Sequence, residues 1–497
     1  MKSGDIPQLT GRHARTSRVS PSSIAVTTCG AGAIALLGVN LVLPRPTVAG
    51  LLGLVVIAVC LTALYQVTVS GTFAPVAVTF WTFVVVWVGF APLLQIRYDV
   101  LPWPDLPLYQ FYVTAQVILL LAVAAYRVGY RGRAPAMTGA RWRRLDITIE
   151  KAVVVTGFAL LLTMVCLPQT GGLAVRFTTR DELQNAIKHA GLVGGKDLAL
   201  LGLLSTLPAA AGLVALVLCL LCWRDRNWAD PRAKRILLAV TGVAVLLNVI
   251  YNNPLSANRF ATFSVMLAAG FALVRLDRQR WRSLFSVGML GGLAVIYPLA
   301  NLFRNSASRA SLRLGAEAYF TYDFDGFQQT VNSAYYVHVH GHTWGYHLVS
   351  ALLFWIPRSL WQGKAISTGN VVAASRGYKF QNLSMPFWTE IFVEFSFIGV
   401  VVLFYFYGKL ALRLDQALND SRVGFGMALA VLFAACQIGL LRGPLGAQIP
   451  LVGAAFAVLV VGVAGWRGRA WGLTRAPGPD DEAQRTVALR IPVEARA

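Results

Sequence analysis

Charge is what this chain has least of. Asp, Glu, Lys and Arg make up 13% of its 497 residues, while hydrophobic types make up 56%. A soluble domain carries about 25% charged residues, so the shortage excludes a soluble globular protein and places the chain in the membrane class. Acids are scarcer still: 22 Asp and Glu face 44 Lys and Arg, a formal net charge of +22. In a soluble protein that excess would point to nucleic acid. Here the basic residues lie between apolar runs, so topology in a lipid bilayer is the better cause and no nucleic-acid partner is expected. Cysteine is sparse too. Cys29, Cys60, Cys166, Cys219, Cys222 and Cys436 all lie in or at the ends of apolar runs, which excludes a disulfide framework. Cys219 and Cys222 form a CxxC at a helix end with no second pair, so no zinc or redox site is expected there. No cleavable signal is expected: Met1 to Ser20 is polar, and the apolar run after it leads into more of the same. Nor is there an internal repeat of the kind common in transporters.

What is present is a series of apolar runs of roughly 20 residues, the length that crosses a bilayer. About twelve are expected, at 24–43, 48–69, 72–96, 106–129, 150–168, 198–222, 236–251, 258–274, 283–302, 389–408, 424–441 and 449–466. The piece from His347 to Ile356 is too short to span and is expected to lie in the interface or re-enter. The reading is an all-α polytopic membrane protein. Residues 1–23 form a cytoplasmic N-terminal tail. Residues 24–302 hold the first nine spans, with an outer loop at 169–197. Residues 303–388 form a long extracytoplasmic loop with short helices, 389–466 hold the last three spans, and 467–497 form a disordered, polar cytoplasmic tail. With the N-terminus in the cytoplasm, most Lys and Arg fall on the cytoplasmic side, as in Arg141-Trp142-Arg143-Arg144 and the run from Arg275 to Arg282.

Two outer loops break that bias. The first contains Arg176 and Arg180. The second contains Arg304, Arg309, Arg313, Arg358, Lys364, Arg376 and Lys379, together with His338, His340, His342 and His347. Arg259 adds a charge at the outer start of a span, where an ionisable residue is a functional-site candidate or snorkels to the headgroups. Topology does not explain these basic residues, but phosphate does: guanidinium forks match its oxygens. At the outer face of a bacterial plasma membrane neither ATP nor nucleotide sugars are expected, so the phosphate would belong to a lipid. A sugar hydroxyl attacking a polyprenyl-linked sugar needs positive charge at the leaving pyrophosphate and a positioned base such as Glu, Asp or His.

Several short motifs follow one another in this region. They are Leu255-Ser256-Ala257-Asn258-Arg259, then Asp323-Phe324-Asp325-Gly326-Phe327. Next comes Phe354-Trp355-Ile356-Pro357-Arg358-Ser359-Leu360-Trp361-Gln362-Gly363-Lys364. Last is Asn382 to Glu390, followed by Phe395 to Gly399. In this order, and with Gly171-Gly172 before Arg176 and Arg180, they resemble the Wzy-type O-antigen and oligosaccharide repeat-unit polymerases. The third is the most specific, being similar to that family's F-[IV]-P-R-x-[IL]-W-x-x-K-P element, with Ala365 in place of the last proline. The likeness covers about half of the chain, from 169 to 400. It implies a GT-C-like helical fold and an inverting, metal-independent glycosyltransferase with no cofactor. Such an enzyme moves a growing glycan from polyprenyl pyrophosphate onto the next lipid-linked repeat unit, alongside a flippase and a chain-length regulator. Position by position, Arg259, Arg358 and Lys364 become pyrophosphate contacts, with Arg176, Arg180 and Arg304 as weaker ones. Glu390, Asp325 and His342 become candidates for the base or for sugar binding.

Plainer readings stand beside these. Pro357-Arg358 ends an interfacial helix equally well. Glu390 fits an ordinary first-turn acid favoured by the helix dipole. Trp344, Trp355, Trp361 and Trp388 suit an interfacial aromatic belt as well as sugar stacking. His338, His340 and His342 alternate, so in an extended strand all three would share a face, yet no metal site is expected. An O-antigen ligase, another polyprenyl-phosphate-dependent glycosyltransferase, and a lipid-oligosaccharide flippase or transporter remain alternatives.

Overall fold

The computed structural model describes residues 47–70, 72–104, 107–131, 145–194, 198–224, 230–257, 259–274, 278–297, 315–381, 383–419 and 423–464. The described residues form helices joined by turns. They are α1 (Val48–Val69), α2 (Pro75–Tyr98), α3 (Tyr112–Tyr130), α4 (Ile149–Gln169), α5 (Arg180–Gly194), α6 (Leu198–Arg224), α7 (Pro231–Tyr251) and α8 (Arg259–Leu273). After these come α9 (Gln279–Gly291), α10 (Gly326–His340), α11 (Tyr346–Leu352), α12 (Thr368–Ser375), α13 (Phe387–Leu418), α14 (Phe425–Arg442) and α15 (Leu445–Ala464). Nine helices among the described residues are long and apolar enough to cross a membrane: α1, α2, α3, α4, α6, α7, α13, α14 and α15. The run expected at 24–43, and the tails 1–23 and 467–497, lie outside the described residues. The run at 258–274 is a 15-residue apolar helix. Of that at 283–302, the part up to Tyr297 is described and holds α9 followed by a π-helical turn over Gly292–Ile296.

Local chemistry sets several helix starts. Thr47 caps α1 by accepting from the Gly50 N–H at 3.1 Å, and Asp230 caps α7 by accepting from Arg232 at 2.8 Å, with Pro231 in the first turn. α2 is apolar all round and sits at the centre of the bundle, buried along nearly its whole length. It carries a π-helical turn over Val85–Phe90, a device that re-aims side chains within a helix. The buried side chains form one main apolar core shared by most of the helices.

α3 and α13 meet backbone to backbone. A Cβ on Gly129 would strike the Tyr405 carbonyl, and one on Gly408 would strike the Tyr126 carbonyl and the Tyr130 amide. Small residues are what let helices approach this closely in lipid. Gly408→Ala is expected to force the pair apart and lower stability by roughly 1–3 kcal/mol, read as a lower melting temperature in detergent. An unchanged melting curve would contradict the close approach.

The connections sort to two ends of the bundle. At one end Asn419 donates to the Phe73 carbonyl at 2.7 Å, and the Ile147 and Phe425 amides donate to the Val423 and Leu145 carbonyls. At the other end Gln95 donates to the Tyr319 and Phe324 carbonyls, each at 2.9 Å, and Ser256 donates to the Arg176 carbonyl at 2.6 Å. This second end gathers the turns after α2, α4, α7 and α14 together with the described part of the long polar interval. That interval does not float free. α10 is buried although Gln328, Gln329, Thr330, Asn332 and Ser333 make it polar. Its polar groups find partners inside, such as Thr330 with Thr389 at 2.8 Å. The His347–Ile356 piece supplies α11, a helix of 7 residues.

Candidate functional site

Asp323 is the point where distant parts of the chain meet. Its carboxylate accepts from Arg259 at 2.8 Å and lies 3.6 Å from the Arg442 guanidinium. Arg259 opens α8 and Arg442 closes α14, so two helices bring one cation each to one acid. Arg442 also donates to the Asp323 carbonyl at 3.1 Å and the Tyr322 carbonyl at 3.2 Å. Each guanidinium lies against a ring, Arg259 over Tyr297 at 5.0 Å and Arg442 over Phe260 at 5.2 Å. Beneath, Trp87 of α2 donates to the Asp323 carbonyl at 2.9 Å, which ties the segment to the central helix.

Asp325, two residues on, is buried. It accepts from the Trp103 indole at 2.8 Å, from Gln329 at 3.2 Å and from Ser384. Burial pushes its carboxyl above the ordinary carboxylate range, against the pull of Arg442 and these donors.

Arg176 lies inside the protein, 3% exposed and stacked over Tyr251 at 4.6 Å. It donates to the hydroxyls of Thr170 at 2.6 Å and Ser205 at 3.4 Å, and its Nε has no acceptor among the described residues. Burial lowers its affinity for the proton. Asn253 and Ser256 both donate to its carbonyl, at 2.9 and 2.6 Å, so its loop is pinned to the turn that leads into Arg259. Arg180, at the start of α5, is exposed. Arg304 lies outside the described residues.

Arg358 and Lys364 close a loop. Arg358 donates to the Lys364 and Ala365 carbonyls at 2.6 and 3.0 Å. Lys364 Nζ donates to the carbonyls of Leu353, Phe354 and Ile356 at 3.1, 3.0 and 2.9 Å, covering the end of α11. Burial, then the neighbouring Arg358 charge, lower the Lys364 ammonium below its usual value. The proline-arginine-lysine string thus holds its own turn. Arg358 remains exposed there.

Glu390 is buried in the first turn of α13, but it serves another helix. Its oxygens accept from Thr368 and from the Leu445 amide at the start of α15, both at 2.8 Å. One turn later Glu394, fully buried, pairs with His347 Nδ1 at 3.0 Å, and its other oxygen has no partner among the described residues. Immediately after it α13 breaks. Phe395 leaves the helical region and Ser396 takes φ 62°, a left-handed conformation that strains a non-glycine residue. The freed carbonyls of Val393 and Glu394 accept from Thr343 and Trp344 at 3.1 and 3.0 Å. Trp344 itself has φ 50°, and Gly345 has φ 91° where a side chain would press on Phe395. His342 Nδ1 lies 3.1 Å from the Phe392 carbonyl. A carbonyl only accepts, so Nδ1 carries a proton and Nε2 is the acceptor of the neutral ring.

The histidines do not share one face of a strand. α10 runs through His340, and Gly341 ends it, so His338 and His340 sit on a helix and His342 beyond it. Helical turns, not alternation, decide where they point. Among the described residues no group of His, Cys, Asp and Glu is arranged to hold a metal. Cys60, Cys166, Cys219, Cys222 and Cys436 are free and buried. Of the four tryptophans, Trp388 is buried and donates to Thr330 at 3.2 Å, while Trp344 and Trp355 are exposed. The residues that sequence reasoning missed are Arg442, Trp103, Glu394 and His347 as a pair. Arg442 had a signal, a charge at the end of an apolar run; the others had none that spacing reveals.

The long apolar helices define a membrane-embedded, polytopic helical protein. No protein-family model, curated protein or solved structure matches the chain.

Proposed function

We propose that this is a lipid-linked oligosaccharide repeat-unit polymerase. It transfers a growing glycan from polyprenyl pyrophosphate onto the next lipid-linked unit at the outer face of a bacterial plasma membrane. The observation that carries this reading is the meeting of Arg259 and Arg442 on Asp323, two guanidinium groups on one carboxylate. Two forks at one point suit a diphosphate better than a neutral solute. Arg176, anchored to the same turn as Arg259, adds a third guanidinium at that end of the bundle. Positive charge fixed there stabilises the pyrophosphate as the bond to the anomeric carbon breaks. The base that takes the acceptor hydroxyl's proton is drawn from Asp325, Glu390 and His342. The chemistry uses side chains alone and no metal.

Two measurements test it. A strain lacking the protein should display single-repeat surface glycan in place of polymer. Lipid-linked glycan accumulating unflipped would instead mean a transporter. Purified protein supplied with lipid-linked repeat units should extend them in excess EDTA; activity lost on chelation and restored by a divalent metal would overturn the metal-free mechanism.

A further inference from the structure

Beside the paired arginines lies a patch of near-parallel rings that the sequence does not bring together. Trp103, in the turn after α2, stacks on Tyr322 with centroids 4.2 Å apart and planes 29° apart. Phe380 lies 5.6 Å from Trp103 with planes at 14°, and Tyr378 5.8 Å away at 24°. The outer rings are open: Tyr322 is 49% exposed and Phe380 52%.

Trp103 is held with unusual completeness for a residue at a surface. Buried Gln328 grips its main chain at both ends, accepting from the Trp103 amide at 2.8 Å and donating to its carbonyl at 3.0 Å. Buried Asp325 takes the indole N–H at 2.8 Å. The Tyr378 hydroxyl accepts from Asn332 at 3.2 Å, so a second ring of the patch is anchored to α10 as well. An interfacial-belt tryptophan turns its N–H toward headgroups and water. This one turns it inward, so membrane anchoring does not account for the arrangement.

We propose that Trp103, Tyr322, Tyr378 and Phe380 form a stacking platform for pyranose rings of the glycan. A pyranose presents one face of C–H groups with a rim of hydroxyls, and that face suits the negative face of an aromatic ring. Position selects this ligand over other flat or apolar ones. Tyr322 is followed directly by Asp323, and Arg442 bonds to the carbonyls of both. A sugar joined to a phosphate held by Arg259 and Arg442 therefore comes to rest against Tyr322, and the next sugars run toward Phe380. This inference rests on the polymerase reading, and it deepens it by giving the glycan its own subsite.

The test uses full-length purified protein, lipid-linked repeat units as substrate, and geranylgeranyl pyrophosphate as a sugar-free probe. Tyr322→Ala and Phe380→Ala should each raise KM for the repeat unit about tenfold, the loss of one stacked ring. Affinity for geranylgeranyl pyrophosphate should stay unchanged. Tyr322→Phe and Phe380→Trp, which keep the ring, should restore KM. Phe406→Ala, at an exposed position on the span α13, should leave KM alone. An unchanged KM in both alanine variants, or an equal loss of affinity for the sugar-free probe, overturns the platform. Saturation-transfer NMR with the free repeat oligosaccharide separates the two ideas. Transfer to the wild type that is lost in Trp103→Leu upholds the platform even if the wild type extends no glycan. Absence of transfer to an active wild type refutes the platform while the polymerase reading stands.

Discussion

Arg442→Ala protein is expected to reach the membrane and to lose glycan chain extension by about a hundredfold or more, the scale of removing one donor that stabilises charge developing in a transition state. Arg442 closes α14 and puts its guanidinium between Asp323 and the Tyr322 carbonyl. Without it, Arg259 faces Asp323 alone, and under the proposed mechanism the departing pyrophosphate meets one guanidinium there instead of two. Arg442→Lys keeps the charge but not the two-pronged geometry and should fall between wild type and alanine. The measurement is the length distribution of surface glycan in the complemented deletion strain, with protein level in the membrane followed in parallel. Wild-type polymer lengths in Arg442→Ala would sink the assignment of Arg442. Loss of the protein from the membrane would instead mark the residue as structural.

Asp415→Ala is expected to have the largest effect on stability, about 3 kcal/mol or more, because three donors would lose their acceptor. The Asp415 carboxylate accepts from the Val76 and Ala77 amides at 2.8 and 3.1 Å and from the Tyr130 hydroxyl at 2.9 Å. Val76 and Ala77 are fully buried at the start of the central helix, where water cannot replace the lost partner. Asp415→Asn keeps one acceptor oxygen and should lose less. Melting in detergent reads both variants; alanine protein that melts with the wild type would show that the cap contributes nothing. Glu390, at the opposite end of the same helix, does for α15 what Asp415 does for α2. The two parts of α13, either side of its break, thus each fix the start of another helix.

The two acids illustrate how far local reading goes. In sequence Glu390 looks like a first-turn acid on its own helix. In the fold it caps a helix that begins 55 residues later. Arg358 and Lys364 stood out as a string, and in the fold Lys364 bonds to the carbonyls just past α11 while Arg358 bonds to the Lys364 and Ala365 carbonyls, so that both close the turn they sit in. The polar composition of 326–340 reads as part of a long loop, yet its amides and hydroxyls bond to one another, to α13 and to Tyr378. Composition records polarity; burial depends on whether those groups find partners inside.

Most of the expected spans were legible because a spanning helix is a local object. Its length, its apolar run and its flanking charges all lie within one stretch of chain, and in lipid a backbone without water must bond to itself. The pairing of side chains is not local. Arg259 and Asp323 are 64 residues apart, and Arg442 bonds back across 119. Trp103 lies 222 residues before the Asp325 that orients it. No periodicity encodes such meetings. The sequence alone determined that this is a membrane protein of many helices. Only the packing of those helices decided which arginines share an acid, which close a loop, and which rings face outward together, because each of these outcomes depends on backbones brought within a few ångströms from distant parts of the chain.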